Sequence, residues 1–130
     1  NARFGDPETQ VVLARLESPL SEIISSLLVK EQPTIAWNEL ASVGVVVAAE
    51  GYPNQYKTNL PLPEMSGETI YYAGVTRSEQ ALVSAGGRIF LAEATASTLE
   101  EARKKVYQTL DNYSFPGMYY RKDIGVKGLI

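Results

Sequence analysis

The sequence predicts an α+β domain with an antiparallel sheet, preceded by a helical segment that belongs to something else. Three observations carry that reading. In the first third, Leu20, Ile23, Ile24, Leu27 and Leu28 recur at the i, i+3, i+4, i+7, i+8 spacing of one helix face. From Val43 onward the pattern changes to β-branched and aromatic runs punctuated by glycine and proline. Then a single helix, announced by a capping box at Thr98, follows the strands and precedes a last short one.

Residues 1–9 are polar and turn-like around Gly5, Asp6 and Pro7. A short helix bearing Val12, Leu13 and Leu16 follows. Ser18 is placed to cap the second helix, with Pro19 in the first turn and Glu22 near its positive end, and Glu31-Gln32-Pro33 stops it. The run Val43 to Ala49 reads as a strand buried on both faces. Glu50 to Gly67 is a long Gly/Pro loop without period, the kind that is more often functional or interfacial. Thr69 to Ala73 is a second strand. Ala81–Ser84 and Arg88–Ala92 flank Gly86-Gly87, which predicts a hairpin, since both turn residues tolerate positive φ. Thr98 and Glu101 then cap a helix whose apolar face is Leu99, Ala102, Val106 and Leu110. The tail from Phe115 is expected to add a short strand and fray.

Composition narrows the chemistry. The 130 residues carry 45% hydrophobic and 21% charged residues and a net charge of -3, an ordinary globular balance that argues against a nucleic-acid surface. No apolar run is long enough to predict a membrane span. Cysteine and histidine are both absent. That excludes disulfides, thiolate nucleophiles and cysteine-rich zinc sites, and removes the commonest general base. Carboxylates, Lys, Arg, Tyr or an oxygen-bound cation remain. The lack of cysteine fits a cytoplasmic protein, and Asn1 as first residue suggests a chain cut from something longer.

The densest polar cluster is Asn1-Ala2-Arg3-Phe4-Gly5-Asp6-Pro7-Glu8-Thr9-Gln10. An Asn oxygen can ligate magnesium, and an Arg fork can hold phosphate or carboxylate. By spacing alone a disordered terminus with turn residues is the better reading. The string resembles the segment that closes the ATP-grasp domain of phosphoribosylamine–glycine ligases. The resemblance continues in order through Leu13-Ala14-Arg15-Leu16, Gly44-Val45-Val46, Gly51-Tyr52-Pro53, Ala73-Gly74, Gly86-Gly87-Arg88 and Tyr120-Arg121-Lys122-Asp123-Ile124-Gly125. Six such blocks in the right order cover essentially the whole chain.

The resemblance implies a division into residues 1–41, the closing segment of an ATP-grasp domain, and 42–130, a small C-terminal domain. It implies a ligase that uses ATP to convert glycine to glycyl phosphate, which the amine of phosphoribosylamine then attacks. The implied cofactors are ATP and Mg2+, with Mn2+ as a substitute. The family's metal ligands are a glutamate and, two residues later, an asparagine; Asn1 matches the asparagine and the glutamate falls outside this chain. Arg3 matches the arginine that follows, a contact for phosphate or acyl phosphate. Asp6 and Glu8 are implied contacts for the glycine ammonium. Arg88 either faces substrate at its turn or merely follows a plain hairpin, and Arg121 either faces the ribosyl phosphate or lies in a solvated tail.

Tyr71-Tyr72 and Tyr119-Tyr120 are expected to pack within strands. Glu100–Lys104 and Glu101–Lys105 have the spacing of a solvated helix face. The chain departs from the family where Tyr72-Ala73-Gly74-Val75 and Asn54-Gln55-Tyr56 stand, which puts fine substrate contacts in doubt. No Gly-rich loop opens a helix here, so the chain alone is expected to be inactive. The implied partners are the upstream domains of the same polypeptide, with no nucleic acid and no membrane. Two rivals remain: another ATP-grasp carboxylate–amine ligase, or a stand-alone interaction domain.

Overall fold

The computed structural model describes residues 2–65, 69–79 and 81–129; Asn1, the expected metal ligand, lies outside the described residues. The chain order is α1 (Glu8–Leu13), α2 (Leu20–Leu28), β1 (Ala41–Ala49), β2 (Thr69–Tyr72), β3 (Val75–Arg77), β4 (Leu82–Ser84), β5 (Arg88–Ala96), α3 (Leu99–Asp111) and β6 (Met118–Tyr119), ending in a 3-10 turn, Val126–Leu129. The main sheet has the order β2-β5-β1-β6 and is antiparallel throughout. The α+β expectation therefore holds.

Strand alternation gives β1 two working faces. Val43, Val45 and Val47 point to the side covered by α3, where they bury against Ala102, Val106 and Leu110, with Phe90 and Ala92 beside them from β5. Gly44 opens on the other side, where α1 docks. A Cβ on Gly44 would sit 2.6 Å from Val11 Cγ2 and 3.0 Å from Leu91 Cδ1, so the missing side chain is what lets Val11 reach the sheet. Helix α3 starts as expected: the Thr98 hydroxyl accepts the Glu101 N–H at 3.2 Å, satisfying one free donor of the first turn. Its apolar stripe also includes Tyr107, which periodicity had not selected.

Several local expectations are corrected. Gly86-Gly87 does not close a hairpin, because β4 pairs with β3 in a separate two-stranded sheet while β5 pairs with β1 and β2. Neither glycine has positive φ. The reason for them is space: the Tyr52 ring lies where a Gly87 Cβ would be, and a Cβ on Gly86 would sit 3.3 Å from the Gly74 Cα. Ser18 does not cap α2, whose N-cap is Pro19. Its hydroxyl instead accepts the Ala36 N–H at 2.8 Å and donates to the Thr34 carbonyl at 3.2 Å, closing the loop that carries α2.

The tail adds the expected short strand, β6, and is then tied to α3 as far as Ile124. Tyr107 donates to the Arg121 carbonyl at 2.6 Å and accepts the Ile124 N–H at 3.2 Å, while Arg103 donates to the carbonyls of Lys122 and Ile124. The spacing of Glu100–Lys104 and Glu101–Lys105 yields no ion pair among the described residues; Lys105 instead reaches the Thr95 carbonyl at 3.3 Å. Tyr71 and Tyr72 are on a strand, but on the outer edge of the sheet and exposed, because β2 has a neighbour only in β5. Tyr119 is likewise exposed, whereas Tyr120 packs its ring near Tyr107 and Phe115.

The long loop after β1 is pinned to β4. Ser84, fully buried, accepts the Asn59 N–H on its carbonyl at 2.7 Å and the Leu60 N–H on its hydroxyl at 3.0 Å. This loop and the segment just before β6 line a cleft of about 670 Å³ between Glu50, Tyr56, Lys57, Leu60 and Gly117.

Candidate functional site

The loop before α1 and the first residue of β5 meet in space. Arg88 Nη2 lies 3.2 Å from Asp6 Oδ2, and both side chains are about half exposed, at 44% and 39%. The other Asp6 oxygen, Oδ1, accepts from Gln10 Nε2 at 3.1 Å, one helical turn along. Each oxygen of this carboxylate thus has its own donor. Arg88 is held by its backbone: its carbonyl accepts the Gly74 N–H at 2.9 Å, and it pairs with Ala48 where the β1–β5 register shifts. The Tyr52 ring on Gly87 fills the space beside it, and Tyr119 donates to the Tyr52 carbonyl at 3.2 Å.

The remaining sequence-predicted residues divide. Arg3 is exposed; its guanidinium donates to the neighbouring Phe4 carbonyl at 3.1 Å and has no carboxylate partner among the described residues. Such a cation is open to an anionic ligand. Glu8 opens α1, with its carboxylate folded against Gly5 closely enough that a Cβ there would overlap it. Arg3, Asp6 and Glu8 thus share one short loop, and the fold adds Arg88 to them. Arg121 is not joined to this group. It grips Asp123 with two bonds of 2.9 and 2.6 Å and gives its carbonyl to Tyr107 of α3, on the face of the sheet opposite α1. That pairing raises the Arg121 pKa and lowers that of Asp123. Beside it, Lys122 bonds the Asp111 carboxylate at 2.8 Å and holds it below the usual carboxylate range.

Sequence reasoning passed over two groups here. Gln10 orients Asp6, and its position four residues on from Asp6 was the available signal. Glu93 is the one buried carboxylate among the described residues, at 8% exposure on the α1 face of β5, where it accepts the Ser42 hydroxyl at 2.8 Å. Burial pushes its pKa up against that hydrogen bond, while burial first and the Glu93 charge second raise the Tyr71 pKa. A charged residue inside the apolar run Leu91-Ala92-Glu93-Ala94 was its sequence mark.

Among the described residues there is no group of three or more Asp or Glu side chains placed to hold a metal ion. Asp6 is already committed to Arg88 and Gln10. Nor is there a helix long and apolar enough to cross a membrane among those residues.

Residues 42–127 match the family model described as phosphoribosylglycinamide synthetase, C domain. The chain belongs to that family. Over 132 residues it is 48% identical to the phosphoribosylamine–glycine ligase of Lactococcus lactis, covering 99% of this chain and 32% of that protein. The corresponding ligase of Halalkalibacterium halodurans is 47% identical over 133 residues, again across 99% of this chain and 31% of its own length. In three dimensions, the crystal structure of phosphoribosylamine–glycine ligase from Thermotoga maritima superposes with a TM-score of 0.86 and 31% identity, covering 95% of this chain and 32% of that one. This member of the synthetase C-domain family therefore spans about a third of the length of the curated relatives it matches.

Proposed function

We propose that this chain is the C-terminal part of an ATP-dependent ligase that joins glycine to phosphoribosylamine, a cytoplasmic step of purine biosynthesis. The observation that carries the reading is the meeting of Asp6 and Arg88, which brings the Arg3-bearing loop of the N-terminal segment to the edge of the C-terminal sheet. In this reading residues 1–41 close an ATP-grasp domain and residues 42–130 form the domain beside it. ATP and Mg2+ or Mn2+ are then held mainly by residues outside this chain, with Asn1 as its one contribution to the metal.

Within that frame the chain's own side chains position and neutralise charge, which is most of what phosphoryl transfer requires. Arg3, exposed and without a carboxylate partner among the described residues, holds the acyl phosphate of activated glycine. Glu8, folded over Gly5, faces the glycine ammonium. Asp6 and Arg88 enter the site as a pair. Arg121, paired with Asp123 on the sheet face opposite α1, stands apart from this group and is given no substrate contact in this reading. The sheet domain shields the acyl phosphate from water, which would otherwise compete with the amine.

The test is ADP formation dependent on both glycine and phosphoribosylamine, measured for this chain and for the natural polypeptide that contains it. Turnover in the longer protein only is the expected result. Turnover by the 130 residues alone would misplace the nucleotide site, and none in either would favour a non-catalytic binding module.

A further inference from the structure

We propose that the Asp6–Arg88 ion pair is a positioning latch: it seats the loop carrying Arg3 against the sheet, so that Arg88 acts on the reaction through Asp6. This rests on the ligase reading and adds to it a role for a contact between two of this chain's own residues.

Four observations carry the latch. It is the one ion pair among the described residues that ties the N-terminal segment to the sheet domain; Arg121–Asp123 lies within the tail and Lys122–Asp111 ties the tail to α3. The two ends differ in rigidity. Arg88 leaves a strand whose backbone is fixed by Gly74 and Ala48, whereas Asp6 sits in a loop closed by one backbone bond, Thr9 N–H to the Gly5 carbonyl at 3.1 Å. The Asp6 carboxylate is pre-aimed, since Gln10 occupies its other oxygen. Finally, among the described residues the Arg3 guanidinium bonds the adjacent Phe4 carbonyl alone, so its direction follows wherever the loop is seated.

The half-exposed setting sets the scale. Water weakens such a pair, so the latch biases the loop's position without holding the fold together. Position is nonetheless where catalysis is sensitive, because small misplacements of a charge-stabilising group cost far more in rate than in stability.

The experiment uses the natural full-length polypeptide with Asp6→Asn, Arg88→Gln, the double variant, and the swap Asp6→Arg with Arg88→Asp. Amide exchange at residues 5–10 is read alongside kcat and KM. Each single variant should speed exchange there roughly two- to fivefold. It should also lower kcat about tenfold with KM held within about threefold. The double variant should be no worse than either single, and the swap should regain protection and part of the rate. Effects that multiply in the double variant, or higher KM values with exchange unchanged, would overturn the latch and make the residues separate substrate contacts. If the parent protein shows no glycine-dependent turnover, the ligase reading fails, and exchange alone decides the latch: unchanged rates in both singles refute it.

Discussion

Residues 2–40 and residues 41–129 obey different packing rules. In the second region strand alternation and helix periodicity converge on one core, with Val45, Val47, Ile89, Val106 and Leu110 fully buried. In the first, Ile23 is the one buried apolar residue among those described, while Leu27, Leu28, Val29, Ile35 and Trp37 stand open to solvent. Both helices of the first region are short, and only tertiary contacts make helices of six or nine residues stable. Helix α1 finds such contacts on the sheet through Val11 and Gly44. The loop carrying α2 closes mainly on itself, through the Leu16–Trp37 bridge and the bonds of Ser18. An amphipathic helix whose apolar face is exposed marks an interaction surface. The lesson is that the second region buries its apolar side chains in a core of its own, whereas the first leaves most of its own exposed.

Core substitutions sharpen this contrast most. Leu110→Ala should cost about 2–5 kcal/mol in denaturant unfolding, since its side chain is fully enclosed and leaves a cavity. A next, smaller effect tests the joint between the regions. Gly44→Ala places a methyl against Val11 and Leu91, and overpacking of that kind costs about 1–3 kcal/mol. Loss of α1 helicity with the sheet intact is the signature expected by circular dichroism and exchange.

Removing the Tyr107 hydroxyl with Tyr107→Phe takes away one donor and one acceptor for the tail, and should cost about 1 kcal/mol and expose residues 121–129 to proteolysis.

Glu93 gives a pH-dependent test. Its folded pKa lies above the unfolded value of 4.5, so just above that pH the native state keeps a proton the unfolded chain has lost. Stability therefore falls as pH rises from 4.5 through the folded pKa and then levels off. Glu93→Gln should abolish that decline and melt slightly higher at pH 7. Asp111 and Asp123 act in the opposite sense, because their depressed pKa values add stability at neutral pH that disappears on acidification. The Glu93→Gln difference curve isolates the first effect. Smallest of all, Leu28→Ser should change the unfolding free energy by less than about 0.5 kcal/mol while reducing self-association in light scattering.

Much of this was legible in local sequence. The apolar spacing of Leu20 to Leu28 coincides with α2, and Thr98 marks the start of α3, because both signals are local. Strand partners were not. Gly86-Gly87 carries a turn signature, yet β5 turns away from β4 to lie between β1 and β2, and the two glycines serve close packing against Tyr52 and Gly74. The same limit applied to the site. Arg3, Asp6, Glu8 and Arg88 could be singled out by motif, but nothing along the chain says that Arg88 reaches Asp6. That contact exists only once the sheet brings the start of β5 beside the first loop. Glu93 was passed over because a lone carboxylate in an apolar run reveals its burial only when both sheet faces are known to be covered.

The most direct measurement of the contrast is native-state amide exchange on the 130-residue chain. Amides of β1, β5 and α3 should exchange only through global unfolding, while those of α2 exchange orders of magnitude faster. Protection in α2 equal to that in β1 would contradict it, because the first region would then be an integral part of the same cooperative core.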